Sequence, residues 1–212
     1  MTTRFWFVRH GPTHAKAAIG WTDLPADLSD RRTVDALKSA LPDTGVVVSS
    51  DLIRAIATAD ALLGSQTRLD HDADLREIHF GDWEGHSFDV ISARDPDLLQ
   101  QYWENPGEVA PPNGESWHML TTRVQKSLQR LARNHANSDI ICVVHFGVIL
   151  AALGSARGLD PAAVMGFKID PLSLTRMTHF ADQDTHGIGW KNLGASGNDL
   201  PAGSRRCEFG FR

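Results

Sequence analysis

Two arginines and two histidines follow short apolar runs of the kind that form buried strands. They are Arg9, His10, Arg54 and His145. In an open α/β sheet, ligands bind beyond the carboxyl ends of the strands, so these side chains are expected at one edge. Arginine is a permanent planar cation that suits phosphoryl oxygens, and histidine can act as a neutral nucleophile near pH 7. The residues therefore predict a phosphate site with a histidine that can attack phosphorus.

The elements that must position these residues alternate between strand and helix. Residues 5–8, 46–48 and 140–144 are short apolar runs without polar alternation, which is typical of strands covered on both faces. A helix capped by Ser29 is predicted after the first run, and helices over 52–63 and from Phe146 to Gly154 or Gly158 after the others. The pattern predicts an α/β three-layer sandwich, with a mainly parallel sheet and helices on both faces.

A stretch rich in proline, glycine and tryptophan separates the two halves of this pattern. We expect residues 79–118 to form a helical insertion over the site, with short helices at 88–93 and 97–103. A long helix is predicted over 115–135, and residues 172–180 alternate weakly, as an edge strand does. The expected organisation is one domain over 1–192 and a loosely ordered tail over 193–212.

Composition excludes several classes of protein. The 212 residues carry a net charge of −5 and no basic run, so neither nucleic acid nor an anionic membrane is an expected partner. The longest apolar stretch, residues 140–153, is shorter than the roughly 20 residues of a membrane-spanning helix. Two cysteines, Cys142 and Cys207, suit a reducing compartment, so a cytoplasmic location is expected.

Six segments stand out in order along the chain: RHGPT at 9–13, GWTDLP at 20–25, SSDLIR at 49–54, LREIHFGDWEG at 75–85, GES at 114–116 and VHFG at 144–147. Together they resemble the histidine phosphatase superfamily, which includes the cofactor-dependent phosphoglycerate mutases. One such string is weak evidence, whereas six in order, with matching strand and loop contexts, are specific. The chain is most similar in size and in residues 114–116 to the broad-specificity and α-ribazole phosphatases.

The resemblance implies a role for each matching residue. His10 matches the nucleophile that becomes phosphohistidine, and Glu77 matches the group that protonates the leaving oxygen and then activates water. Arg9, Arg54 and His145 match groups that hold the phosphoryl oxygens, and Thr13 is either a further phosphate contact or an ordinary loop hydroxyl. The implied ligand is a small phosphate ester, and no cofactor and no metal are implied.

The sequence departs from the family pattern at two places. Many relatives carry a Trp-Asn pair shortly after the first motif, whose Asn helps to hold phosphate, but here the aligned residues are Ala15 and Lys16. Lys16 or His14 is available as a replacement, and the sequence does not decide between them. Phe146 stands where relatives usually have a small residue, so a bulkier and more apolar pocket wall is expected.

Three functions fit these residues. His145 lies only 68 positions after Glu77, whereas mutases of the family carry a longer insertion that shields the phosphoenzyme from water, so a phosphatase is favoured. A cofactor-dependent mutase would be recognised by its need for a bisphosphate primer. A non-catalytic module that binds phospho-ligands would need Arg9 and Arg54 but no working acid.

Overall fold

The structure is a computed structural model that describes residues 2–181 and 188–191. Cys207 and the expected tail over 193–212 lie outside the described residues. The strands are β1 (Thr2–Arg9), β2 (Val46–Ser49), β3 (Thr67–Arg68), β4 (Asp139–Val144), β5 (Leu174–Ala181) and β6 (Ile188–Lys191). They form one six-stranded sheet in the order β3-β2-β4-β1-β5-β6.

The sheet is mainly parallel, as the strand and helix pattern predicts. Strands β3, β2, β4 and β1 run parallel, and β5 pairs antiparallel with both β1 and β6. The prediction of an edge strand over 172–180 is wrong, because β5 has a neighbour on each side. Met177 and Thr178 point to opposite faces and are both buried, which explains the weak alternation in the sequence.

Helices lie on both faces of the sheet. They are α1 (Arg31–Ala40), α2 (Ile53–Leu62), α3 (Phe88–Arg94), α4 (Pro96–Glu104), α5 (Trp117–Asn134), α6 (Phe146–Arg157) and α7 (Pro161–Met165). Short 3₁₀ turns occur at Ala73–Leu75 and Gly81–Trp83. None of the helices in the described ranges has the length and apolar character needed to cross a membrane.

The N-cap of the first helix lies one residue later than predicted. Asp30, not Ser29, is the N-cap of α1, and its carboxylate accepts a hydrogen bond from the Thr33 N–H at 3.1 Å. The Ser29 N–H instead donates to Asp27 at 2.9 Å. Both Ser and Asp are good N-caps, so the sequence alone does not separate two adjacent candidates.

Strand β4 divides its side chains between the two cores of the sandwich. Ile140, Cys142 and Val144 pack with α5 and α6, whereas Ile141 and Val143 pack on the opposite face with α1 and α2. All six residues of β4 are buried. A strand with a core on each face has no solvent side, which is why its sequence lacks polar alternation.

Helix α6 follows β4 directly and is apolar on every side. Residues 147–154 are all buried, and the helix ends at Gly158, which has a left-handed backbone with φ of 63°. Glycine adopts this conformation without steric cost, so it ends the helix favourably. The neighbouring α5 buries only a stripe, with Leu120, Val124 and Leu128 facing the core.

The insertion has its own small core. Trp83 from the 3₁₀ turn, Ile91 from α3, and Leu99 and Tyr102 from α4 surround Ala18 of the loop after β1. The Ala18 N–H donates to the carbonyl oxygen of residue 86, and its carbonyl accepts from the N–H of residue 85, both at 2.9 Å. The insertion is therefore fastened to the loop that starts at the end of β1.

The α5 stripe yields a stability prediction. Leu128 is 1% exposed, so Leu128→Ala should leave a cavity and lower the free energy of unfolding by about 2–5 kcal/mol. Met119 on the same helix is 54% exposed, so Met119→Ala should change it by less than about 0.5 kcal/mol. Urea unfolding followed by circular dichroism measures both, and equal losses would contradict this packing.

Candidate active site

Three neighbouring strands end side by side at one edge of the sheet. Arg9 at the end of β1 pairs with Val144 at the end of β4, and Ser49 at the end of β2 pairs with Val143. The next residue of each strand, among them His10 and His145, therefore lies at the same edge. The sequence prediction that the strand ends converge is confirmed.

His10 is held in one tautomer by bonds to both ring nitrogens. Its Nδ1 lies 2.6 Å from the Gly11 carbonyl oxygen, and its Nε2 accepts from Arg54 Nε at 3.2 Å. Burial lowers the pKa of His10 to about 3 against the effect of the Gly11 bond, and the charges of Arg54 and Arg9 lower it further. The imidazole is therefore neutral at physiological pH, with the proton on Nδ1 and a lone pair on Nε2.

Arg54, in the first turn of α2, is 1% exposed. Besides its bond to His10, it donates from Nη1 to the Thr22 carbonyl at 2.9 Å and from Nη2 to the Gly20 carbonyl at 2.5 Å. Burial lowers the pKa of this guanidinium, and the nearby carboxylates oppose that effect; they are Glu77, Asp23 and Glu84. An arginine keeps its charge even so, and here all three of its donating nitrogens bond to neutral acceptors.

The loop that supplies these carbonyls is held by Glu84. Its carboxylate accepts from the backbone N–H groups of Gly20, Trp21, Thr22 and Phe80 and from the Thr22 hydroxyl, at 2.6–3.1 Å. Burial alone would raise the pKa of Glu84, but these hydrogen bonds outweigh burial and lower it. One side chain thus fixes residues 20–22, whose carbonyls hold Arg54.

His145 lies beside His10, with 5.0 Å between the ring centroids. It is fully buried, and its Nε2 lies 2.6 Å from the Ser50 hydroxyl oxygen. Its Nδ1 has no hydrogen-bond partner within the described part of the chain. Burial lowers the pKa of His145 well below its usual value, and His10 and Arg54 add to the effect, so this ring is neutral too.

Glu77 lies against the first turn of α6, where its carboxylate contacts Gly147, the second residue after His145. It is 8% exposed, and its carboxylate accepts from the Gly147 N–H at 3.0 and 3.2 Å and from the Ile78 N–H at 2.9 Å. A Cβ at residue 147 would lie 2.4 Å from the Glu77 carboxylate, so any larger residue there would displace it.

The backbone of Glu77 is fixed from two sides. Arg123 of α5 donates to the carbonyls of Arg76 and Glu77 at 2.7 and 2.8 Å, and the Trp21 indole N–H donates to the Glu77 carbonyl at 2.8 Å. Glu115 in turn pairs with Arg123 at 2.7 Å. The position of Glu77 thus depends on a partly buried arginine of α5, which packs on the same face of the sheet.

Arg9 forms a side wall of the site with Phe146. Its Nη1 donates to the Ile169 carbonyl at 2.5 Å, and its Cζ lies 5.3 Å from the centre of the Phe146 ring. A cation over an aromatic face is attracted by the ring quadrupole. The bulky residue at 146 therefore supports the Arg9 guanidinium as well as making the wall apolar.

The remaining predicted residues lie in the loop after β1. Thr13 is partly buried, and Lys16 is exposed. His14 is also exposed, with φ of 57°, and its Nε2 lies 2.8 Å from the Asp27 carboxylate. The roles of these three residues in phosphate binding stay predictions. Among the described residues, no three His, Cys, Asp or Glu side chains are grouped as metal ligands would be.

Sequence reasoning missed three residues that contact the predicted set. Ser50 and Glu84 lie inside the motif segments. The sequence gives Glu84 only as a surface charge or a substitute for the acid at Glu77, and it gives no role for Ser50. Arg123 had a usable signal, because it adjoins Leu120 and Val124 on the apolar stripe of a helix. An arginine on such a stripe needs buried acceptors.

A parallel sheet with a neutral histidine and buried arginine at its carboxyl edge suits a phosphoryl-binding α/β protein. Comparison with known families agrees: residues 5–190 match the histidine phosphatase superfamily (branch 1). The chain therefore belongs to the histidine phosphatase superfamily.

Its relatives include phosphatases. The chain is 33% identical over 159 residues to phosphoglycerate mutase-like protein 4 of Arabidopsis thaliana, covering 71% of this chain and 69% of that protein. It is 26% identical over 174 residues to the adenosylcobalamin/α-ribazole phosphatase of Salmonella typhimurium, covering 79% and 86%. The structure of a mycobacterial glucosyl-3-phosphoglycerate phosphatase superposes with a TM-score of 0.72 at 26% identity, covering 89% and 95%.

The bonds of Glu84 yield a second prediction. Glu84→Gln should lower the free energy of unfolding at pH 7 by about 1–3 kcal/mol. The amide nitrogen of Gln replaces an acceptor oxygen and turns its own N–H groups toward backbone N–H groups, which are donors too. The pKa of Glu84 lies below its ordinary value of 4.5, so its contribution is complete above that pH and declines as the pH falls through the folded value.

Urea unfolding at several pH values tests this expectation, with the exposed Glu104→Gln as the matched control. The difference between the wild type and Glu84→Gln should shrink below about pH 4.5, whereas Glu104→Gln should stay within about 0.5 kcal/mol of the wild type at pH 7. A gap that widens on acidification would contradict the role of the ionised carboxylate.

Proposed function

We propose that the chain hydrolyses a small phosphate monoester through a phosphohistidine on His10. The observation that carries this proposal is the contact between Nε2 of a neutral, buried His10 and the guanidinium of Arg54. A phosphoryl group that enters here brings the negative charge that Arg54 lacks among its direct partners. It also brings phosphorus to the nitrogen that carries a lone pair.

The other predicted residues have roles in holding that group. Arg9, Arg54 and His145 are proposed to donate to its non-bridging oxygens, with Thr13 as a further contact. Guanidinium groups match phosphoryl oxygens in geometry and keep their charge at every physiological pH. The scheme uses no metal and no cofactor, because the arginines supply the positive charge.

In the first step, the Arg54 Nε–H turns from His10 Nε2 to a phosphoryl oxygen. The Nε2 lone pair then attacks phosphorus, and the bond from phosphorus to the ester oxygen breaks. Glu77, which holds a proton when the ester is bound, donates it to that oxygen, so the alcohol leaves in neutral form. The Gly11 carbonyl, which accepts from Nδ1 at 2.6 Å, stabilises the positive charge that develops on the ring. The products of this step are the alcohol and phosphohistidine.

In the second step, water attacks phosphorus and the nitrogen–phosphorus bond breaks. The Glu77 carboxylate takes a proton from the water, and the electron pair returns to His10 Nε2. Inorganic phosphate leaves, and both residues return to their starting states. One carboxyl group therefore acts as acid and then as base.

Hydrolysis is preferred to transfer between two hydroxyls. The insertion between Glu77 and His145 is short, and its helices α3 and α4 span only Phe88–Arg94 and Pro96–Glu104. Two of the relatives described above are named as phosphatases. We propose a small-molecule phosphate ester in the cytoplasm as the substrate, with α-ribazole phosphate, glucosyl-3-phosphoglycerate and 3-phosphoglycerate as the first esters to compare.

His10→Ala is expected to remove turnover of p-nitrophenyl phosphate, by a factor of at least about 10³, because no other group replaces the nucleophile. His118→Ala serves as the control, since this exposed histidine pairs only with Glu108 in the described structure. Phosphate release measures both variants. Appreciable turnover by folded His10→Ala would contradict the assignment, and turnover only with a bisphosphate primer would favour a mutase.

Glu77→Gln is expected to lower kcat/KM about 10²- to 10⁴-fold for alkyl phosphates and much less for p-nitrophenyl phosphate. An aryl leaving group needs little protonation, and kcat/KM reports the step in which it departs. Asp82→Asn is the matched control, because this nearby carboxylate is exposed. Equal losses on both substrates would point to another acid.

A further inference from the structure

Ser50 and His145 form a fully buried pair that the hydrolysis scheme leaves partly unexplained. Both side chains are 0% exposed, and the hydroxyl oxygen lies 2.6 Å from Nε2. A hydrogen bond at this distance can run in either direction, since a hydroxyl both donates and accepts. Its direction decides which nitrogen of His145 carries the proton.

The second partner of the hydroxyl indicates that direction. Within the described part of the chain, Ser50 Oγ has a second partner in the Leu52 N–H at 3.4 Å, which can only donate. Nε2 of His145 is then the acceptor available for the hydroxyl proton. A buried hydroxyl is expected to satisfy its donor, so Ser50 donates and Nε2 carries the lone pair.

A neutral imidazole has one proton, and it must then lie on Nδ1. Burial and the surrounding cations keep His145 neutral; these are Arg54, Arg123 and Arg9, with His10 beside them. Nδ1 is itself buried and has no partner among the described residues. Buried donors are rarely left unsatisfied, so an Nδ1–H on a ring centred 5.0 Å from that of His10 indicates a ligand atom.

We propose that Ser50 is a positioning residue that holds His145 in its Nδ1–H tautomer, so that Nδ1–H donates to a phosphoryl oxygen at His10. The opposite tautomer would turn a lone pair toward an anionic oxygen and repel it. The ligand contact rests on the proposed function, whereas the tautomer is a property of the resting protein. The ligand contact and the tautomer can therefore be tested independently of each other.

Nuclear magnetic resonance of protein labelled with ¹⁵N-histidine tests the tautomer, because the two ring nitrogens differ with and without a proton. The spectrum of His145→Asn identifies the His145 signals. The wild type is expected to show Nδ1–H, and Ser50→Ala to shift toward Nε2–H. An Nε2–H form or an imidazolium in the wild type, or an unchanged tautomer in Ser50→Ala, overturns the proposal.

Ser49→Ala is the matched control. Ser49 is the preceding residue and is equally buried, but its hydroxyl bonds to Arg68 at 2.6 Å and lies 3.2 Å from His71 Nδ1. This variant should keep the Nδ1–H tautomer of His145. Ser50→Thr retains the hydroxyl and should also keep the Nδ1–H tautomer. This variant gives a second measurement if Ser50→Ala does not fold.

Inorganic phosphate tests the donor role directly. Adding it to the wild type should shift the Nδ1 signal of His145, and an unchanged signal at saturating phosphate overturns the contact. In hydrolysis, Ser50→Ala should lose about 10- to 100-fold in kcat/KM, less than the 10²- to 10³-fold typical of removing an oxyanion donor outright.

The kcat/KM of Ser49→Ala and of Ser50→Thr should stay within about threefold of the wild type, since both variants keep a hydroxyl at residue 50. Hydrolysis by a wild type with the Nε2–H tautomer would defeat this inference alone. No hydrolysis by a wild type with the Nδ1–H tautomer that binds phosphate would defeat the proposed function alone.

Discussion

A guanidinium that is 1% exposed must be solvated by the protein itself, and this requirement of Arg54 organises the site. The group cannot escape by losing its proton, so its donors need acceptors in place of water. Two come from the carbonyls of Gly20 and Thr22, and the third is the lone pair of His10. The loop after β1 must therefore turn its carbonyls inward, and Glu84 supplies the acceptors that keep it there.

The same burial leaves the arginines at this edge of the sheet charged and the histidines neutral. Histidines beside arginines lose their protons easily, because both low polarity and nearby cations disfavour imidazolium. His10 and His145 are thus neutral while Arg54 and Arg9 stay charged. Glu77, the proposed acid, has a carboxylate that accepts from the N-terminus of α6 and, among the described residues, from no arginine. The buried guanidinium of Arg54, the lone pair of His10 and the carboxyl of Glu77 are each held by a different element.

Much of this arrangement follows from the sequence, because strand ends and helix starts have local signals. The apolar runs before His10 and His145 place those residues at one edge of a parallel sheet without any knowledge of tertiary contacts. The roles of Ser50, Glu84 and Arg123 depend on partners far away in sequence, and their residue types alone are compatible with a solvated surface. The same reason explains the error over β5, whose second neighbour, β6, is not visible in its own pattern.

The position of β4 between β1 and β2 has a consequence for how the protein is made. His10 and His145 are 135 positions apart, yet they follow strands that are paired along their length. A ribosome that has released only the first 138 residues has delivered β1 and β2 without the strand that joins them. Contacts of such long sequence separation slow folding, since the chain must close a large loop before it gains them. The nascent chain at that stage therefore carries Arg9, His10 and Arg54 but no completed sheet on which to hold them.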